Sequence, residues 1–215
     1  MPSSYVDQIT DIMNLIIFSH PKSILDVGIG FGKYAFLSRE YLDAMGEGHT
    51  YHQRKLRIEG IEGFADYITP LHRAIYDEIH VGDAREILPK LSSRYDLLIM
   101  IDVLEHFTYE DGKKVLQECQ NHARNVLIST PKWMDPQGAA FGNDFETHRF
   151  QWNRSHLKDK PNAFFIPNSN SYICFWGEDA GAVRRAFRKY LFNSRIKRWM
   201  PAAVPLLRRI SRSKG

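Results

Sequence analysis

The sequence is short of the residues that staple or anchor a small protein. Its two cysteines, Cys119 and Cys174, are too few and too scattered for a disulfide framework or a zinc site. The longest apolar runs, 15–18 and 97–101, fall far below the ~20 residues of a membrane span. Residues 1–5 are polar, and no charged-then-apolar stretch of the signal-peptide kind follows, so a reducing, cytoplasmic location is the default expectation. Acidic residues are missing from 181–215, which hold eleven Arg or Lys. The whole chain has 29 basic and 25 acidic residues, a net charge of +4, so 1–180 carry 18 against 25, or −7. The bland total is therefore an average of an acidic domain, 1–180, and a basic C-terminal tail, 181–215. At 215 residues with 43% hydrophobic and 25% charged content, the chain has room for one good-sized core and is not disordered throughout.

What recurs is a short apolar run followed by a longer mixed segment. Residues 23–27, 56–61, 78–81, 95–101 and 125–129 are five such runs, and 97–101 is apolar at every position, as a strand buried on both faces requires. Between them Tyr34, Leu37, Tyr41 and Leu42 share one helical face, Ile87, Leu88 and Leu91 mark a short helix, and Val115 and Leu116 another. Val6, Ile9, Ile12, Met13 and Ile16 predict a leading helix over one sheet face. Alternating strand and helix implies right-handed crossovers and a doubly wound, parallel sheet. The segment 43–55 is polar and predicts an extended loop. After Pro131 comes a long polar loop to about Thr147, a short helix near 154–158, and two runs, 163–166 and 172–176, that predict a closing hairpin.

The first strand ends in Asp26-Val-Gly28-Ile-Gly30-Phe-Gly32. Glycines there let the backbone turn sharply and approach a ligand at the start of the next helix. A dinucleotide fingerprint wants its third glycine at the sixth position. Counting from Gly28, that position is Lys33, and glycine falls instead at the fifth, Gly32. An acid two residues before the first glycine also favours a ligand carrying an amine over a pyrophosphate.

This Asp-x-Gly-x-Gly-x-Gly run resembles motif I of the class I S-adenosylmethionine-dependent methyltransferases, and later elements follow in that family's order over roughly residues 20–177. The resemblance implies a Rossmann-like, mostly parallel seven-stranded sheet with helices on both faces and an antiparallel last strand. It implies that Asp26, Gly28, Gly30 and Gly32 hold the methionyl end of S-adenosylmethionine. Glu62, closing the second strand, would take the ribose hydroxyls, which a carboxylate accepts in pairs; Glu59 is the fallback if the register differs. Asp83 in Val81-Gly82-Asp83-Ala84 would accept from the adenine amino group and the Ala84 amide would meet the ring, although Asp is also a favoured helix N-cap. Asp102, opening Asp102-Val-Leu-Glu-His106, would lie beside the methionyl part. That signature is similar to the motif after the fourth strand in methyltransferases acting on small molecules, lipids and sugars.

The sulfonium is already an activated electrophile, so holding the acceptor in line at ~3–3.5 Å supplies much of the catalysis. A hydroxyl acceptor also needs a proton acceptor, and histidine suits neutral pH. His106 follows the fourth strand, and His148 follows the fifth, in a His-x-x-x-Trp element similar to one that some family members place near the acceptor. Each has a plain structural reading beside it, a buttress of the cofactor loop for His106 and packing against Trp152 for His148. No metal site is expected: His49 and His52 share a polar loop without acidic or Cys partners. The Asn-Pro-Pro-aromatic run of the family's amino-methylating DNA and protein-glutamine enzymes is absent, which points towards oxygen or carbon acceptors.

In the tail, Val183, Ala186, Phe187, Tyr190 and Leu191 keep helical spacing among Arg184, Arg185, Arg188 and Lys189. Apolar and cationic sides together predict a segment lying on an anionic membrane surface, peripheral at the inner face, which would make a lipid-linked or glycan intermediate a natural acceptor. A solvated basic helix is the plain alternative. A nucleic-acid methyltransferase using the tail as an RNA clamp ranks behind, because aromatics are few and no RNA module accompanies them. A non-catalytic cofactor-binding scaffold is the reading of a different class.

Overall fold

The structure is a computed structural model that describes residues 4–44 and 54–199, with side chains as far as 195. Seven strands form one sheet: β1 (Ser23–Val27), β2 (Arg57–Glu62), β3 (Glu78–Val81), β4 (Tyr95–Ile101), β5 (Ala123–Pro131), β6 (Phe164–Ile166) and β7 (Ser171–Gly177). Their spatial order is β3-β2-β1-β4-β5-β7-β6. The first five are mutually parallel, and β7 is antiparallel to both β5 and β6. The chain reverses its strand order between β1 and β4, and such a switch point opens a crevice at the carboxyl ends of the strands.

Side chains alternate across a strand, so the consecutive apolar residues of β1, β4 and β5 feed two cores at once. Ile24, Leu97, Ile99, Leu127, Ile173 and Phe175 face one side. There they meet α1 (Ile9–Ser19), α2 (Lys33–Ser38), α3 (Pro70–Ile75) and α7 (Ala180–Trp199) through Ile12, Leu15, Ile16, Ala35, Ile75, Val183 and Phe187. Leu25, Val27, Leu98, Met100, Val126, Ile128, Cys174 and Trp176 face the other. They pack on α4 (Ala84–Ile87), α5 (Tyr109–His122) and α6 (Arg154–Leu157) through Ala84, Val115, Leu116, Cys119 and Leu157. Trp152 is wholly buried in this second core, against α5 at Gly112, where a Cβ would stand 2.2 Å from the indole Cζ2. Glycine costs helix propensity, and here it makes room for the ring that anchors the chain after β5.

Two readings of the sequence shift. The expected loop at 43–55 starts as a continuation of α2, a π-helical turn over Arg39–Ala44. Buried Asp43 then accepts from the amides of Lys55 and Leu56 at 3.0 and 2.9 Å, tying the two ends of the segment together. His49 and His52 lie outside the described residues. The basic segment begins within α7, whose first turns pack on the core. Val183 and Phe187 of α7 are buried, and Tyr190 packs on Phe18 of α1 and on Phe187, so the chain packs continuously across position 180. The apolar side expected to face a membrane is, over 183–190, turned into the core. Residues 200–215 lie outside the described residues.

Candidate active site

A cavity of about 650 Å³ opens at the carboxyl ends of β1, β2, β4 and β5. Its floor is the loop from β1 into α2. The Gly28 amide donates to the Ile61 carbonyl at 2.9 Å and the Gly32 amide to that of Ile29 at 2.8 Å, folding the loop over the sheet edge. Gly28 has φ +76°, and a Cβ there would stand 2.4 Å from Cγ2 of Val103. No other residue fits that position without strain or displacement. Gly30 also has positive φ and lines the cavity, and Gly32 caps α2.

The carboxylates stand around this floor. Asp26 is buried and accepts from the Tyr76 hydroxyl at 2.6 Å. Burial, helped by the nearby Glu62 charge and resisted by the Tyr76 bond, pushes its carboxyl up to about 7. Glu62 ends β2, lines the cavity and accepts from the Phe64 amide at 3.0 Å; burial raises its pKa as well. Glu59 points elsewhere: it is held by Tyr95 at 2.6 Å, His80 at 3.0 Å and Arg57 at 2.5 Å, and it does not line the cavity. The strand register thus places Glu62, not its fallback, at the site.

Asp83 and Ala84 line the cavity at the start of α4. Asp83 accepts from the Arg85 amide at 2.8 Å and from its guanidinium, which reaches on to Asp111 at 2.9 Å. Burial raises this carboxyl, but the Arg85 hydrogen bonds and charge outweigh it and hold the pKa below the usual range. Capping is therefore a role Asp83 visibly fills. Asp102 leaves β4 with φ +53°, a strained value for a residue with a side chain. Its carboxylate accepts from Ser129 Oγ and Gln8 Nε2, both at 2.6 Å, and burial raises its pKa.

The two histidines, distant in sequence, come together. His106 sits on a 3-10 turn (Leu104–His106) after β4. The chain after β5 folds back so that the amides of Arg149 and Phe150 donate to the Glu105 carbonyl at 2.9 and 3.2 Å. This docking sets the His148 ring against that of His106, centroids 5.1 Å apart. Each ring is tethered to a main-chain oxygen, His106 Nδ1 to Thr147 at 3.3 Å and His148 Nδ1 to Asp135 at 2.6 Å. Burial pushes His106 down to about 4, so it is neutral near pH 7 and a weak proton acceptor. Between the rings and the sheet lies Glu105, 2% exposed, accepting from Thr130 Oγ1 at 3.2 Å. The sequence reading passed over Glu105 although it stands inside the Asp-Val-Leu-Glu-His run. It also missed Tyr76, Gln8 and the lining residues Ser4, Tyr5 and Tyr34, which carry no motif of their own.

This strand order, with one antiparallel strand between β5 and β6 and a cavity at the switch point, is the fold of the class I S-adenosylmethionine-dependent methyltransferases. Solved structures with the same fold include PigF with SAH, at TM-score 0.54 and 14% identity, covering 80% of this chain and 55% of that one. The N-terminal domain of EvdMO1 in the presence of SAH and D-fucose matches at TM-score 0.56 and 14% identity, over 81% of this chain and 84% of that one. The methyltransferase domain of bacterial CtHen1-CN matches at 0.53 and 17%, over 80% and 98%. The chain thus spans little more than half of PigF. No family model and no curated protein sequence matches it.

Proposed function

We propose that the chain transfers the methyl group of S-adenosylmethionine to a hydroxyl, or a carbon, of a small-molecule, lipid-linked or glycan intermediate. The observation that carries this reading is the charge of the cavity. Among the described residues that line it are nine carboxylic acids (Asp26, Glu62, Asp83, Asp102, Glu105, Asp111, Asp135, Asp144 and Glu146) against Lys33, Arg85 and Arg149. S-adenosylmethionine carries a sulfonium and an ammonium against a single carboxylate, so such a wall attracts it. The same wall repels pyrophosphates and a phosphate backbone, which disfavours dinucleotides and nucleic acid.

In this reading Asp26 and the Gly28–Gly32 loop hold the methionyl end, Glu62 takes the ribose, and Asp83 with the Ala84 amide meets the adenine. Asp102, fixed by Gln8 and Ser129, shapes the wall beside the sulfonium. His106 and His148 face the acceptor. SAH in PigF and SAH with D-fucose in EvdMO1 support the cofactor and a sugar-like acceptor class by fold analogy alone. The test is incubation of the full chain with methyl-labelled S-adenosylmethionine and fractionated extracts, followed by mass spectrometry. Label in a small-molecule, lipid or glycan fraction supports the reading, and label confined to RNA replaces it with the nucleic-acid alternative.

The basic segment would hold the enzyme, in the cytoplasm, against an anionic membrane surface. Supporting this, Arg184, Arg185, Arg188, Lys189 and Arg195 are exposed on the outer side of α7. With Val183 and Phe187 buried, the attraction over this stretch is electrostatic and not apolar insertion. Among the described residues, no helix is long and apolar enough to cross a membrane.

A further inference from the structure

The acceptor end of the cavity holds more than two candidate bases. One nitrogen of His106, one of His148 and one oxygen of Glu105 all lie within 4.8 Å of one another. Donor atoms ~2.1 Å from a shared ion stand at most ~4.2 Å apart, so small rotamer adjustments bring this set onto one cation. The surroundings fit that use. A carbonyl oxygen can only accept, so the bonds to Thr147 and Asp135 put each ring's proton on Nδ1 and leave the Nε2 lone pair available. Orientation of a histidine through its second nitrogen is the usual support of a metal-binding imidazole.

Glu105 adds an independent sign. It is 2% exposed, and among the described residues no lysine or arginine pairs with it. The charges nearest to it, Asp102 and Glu146, are of its own sign. Burial and these like charges push its carboxyl well above the usual carboxylate range, and a cation bound beside it would offset that penalty.

We propose that Glu105, His106 and His148 bind one divalent first-row transition ion and that the open positions of this ion take the acceptor's hydroxyl. Two imidazoles and a carboxylate suit Mn²⁺, Fe²⁺, Co²⁺ or Zn²⁺ better than Ca²⁺ or Mg²⁺. The site itself stands on the geometry; its catalytic use rests on the methyltransferase reading. An acceptor hydroxyl on the ion would lose its proton to water near neutral pH. The oxygen then attacks the methyl carbon: the O–C bond forms, the C–S bond breaks with its electron pair going to sulfur, and SAH leaves.

The test is titration of the chelator-treated full chain with Co²⁺, read by visible absorption, and with Mn²⁺, read by electron paramagnetic resonance. The expected result is one ion per chain. Half-buried His148→Gln and buried Glu105→Gln should each weaken it more than ~100-fold, beyond the loss of an outer-shell partner. Circular dichroism checks that each variant is folded, and His148→Gln decides if Glu105→Gln is not. Absence of binding at ~1 mM of either ion, or equal binding by folded His148→Gln, overturns the proposal. Calorimetry with S-adenosylmethionine on the same samples separates the two readings. Cofactor bound without metal removes only the metal site, and metal bound without cofactor removes only its use in methyl transfer.

Discussion

The two ends of the cavity are built in different ways. At the tips of β1, β2 and β3 the wall comes from short stretches of chain, each a strand end with its following turn: Asp26 to Phe31, Glu62 with Gly63, and Gly82 to Ala84. At the tips of β4 and β5 it is assembled from far apart, Glu105 and His106 from one turn and His148 from a chain that returns after a long loop. The first end is fixed by backbone geometry and varied little by side-chain rotation. The second depends on tertiary docking through Trp152 and the Glu105 carbonyl. A cofactor common to many enzymes needs the first kind of site, and an acceptor peculiar to one enzyme needs the second.

Breaking the cofactor end at its backbone should have the largest effect. Gly28→Ala adds left-handed strain of ~1–2 kcal/mol and a clash with Val103 worth ~1–3 kcal/mol more. S-adenosylmethionine binding by calorimetry and the urea midpoint should both fall steeply. Gly30→Ala, with nothing within 4 Å of its Cβ, should show the strain alone. Equal losses at both positions would mean that ligand approach, and not Val103, makes the demand.

Next in size are the two acids of β2. Glu62→Gln should cost cofactor affinity ~1.5–3 kcal/mol, tenfold or more, the worth of hydrogen bonds to a charged group. Glu59→Gln should leave affinity nearly unchanged and lower the melting temperature, because it loosens the contacts to Arg57, His80 and Tyr95. The reverse outcome would show that the ribose sits on the other acid.

The two ends should also differ in sign with pH. Asp26, raised to about 7, keeps its proton longer folded than unfolded, so its contribution to unliganded stability falls as pH rises from ~4 towards 7. The cofactor ammonium prefers the carboxylate, so affinity should rise from about pH 6 to 8 as Asp26 ionises, and Asp26→Asn should flatten the rise. His106, lowered to about 4, takes its proton more readily unfolded, so its contribution is lost as pH falls below ~6.5. His106→Gln should flatten that acid limb. The smallest expected stability change is on α7: exposed Arg184→Glu with Arg188→Glu should stay within ~1 kcal/mol by denaturant titration. The pair should nonetheless weaken salt-sensitive flotation with anionic liposomes, and unchanged flotation would contradict the membrane proposal.

The same contrast explains what the sequence made legible. The β1 turn could be read because Asp26 to Gly32 are consecutive and each glycine answers to a local dihedral. β1, β4 and β5 were legible from apolar runs buried on both faces, β3 from a short run that the structure leaves part-exposed, the β6–β7 hairpin from its two runs, and the antiparallel pairing of β7 with β5 only from the family resemblance. Glu105 was hidden because nothing in its own turn says that His148 will dock beside it. The start of the tail shows a related limit. The spacing of Val183, Phe187 and Leu191 records an apolar face without saying whether lipid or the protein's own core covers it, and α1 covers it here. Asp83 remained double, since a cap and an adenine acceptor require the same residue at the same place.

Isothermal calorimetry of the full chain with S-adenosylmethionine is the most direct test of the central claim. The account predicts one site per chain, with affinity rising from about pH 6 to 8 and falling in Glu62→Gln. Absence of any binding heat at ~1 mM cofactor across that pH range would contradict it.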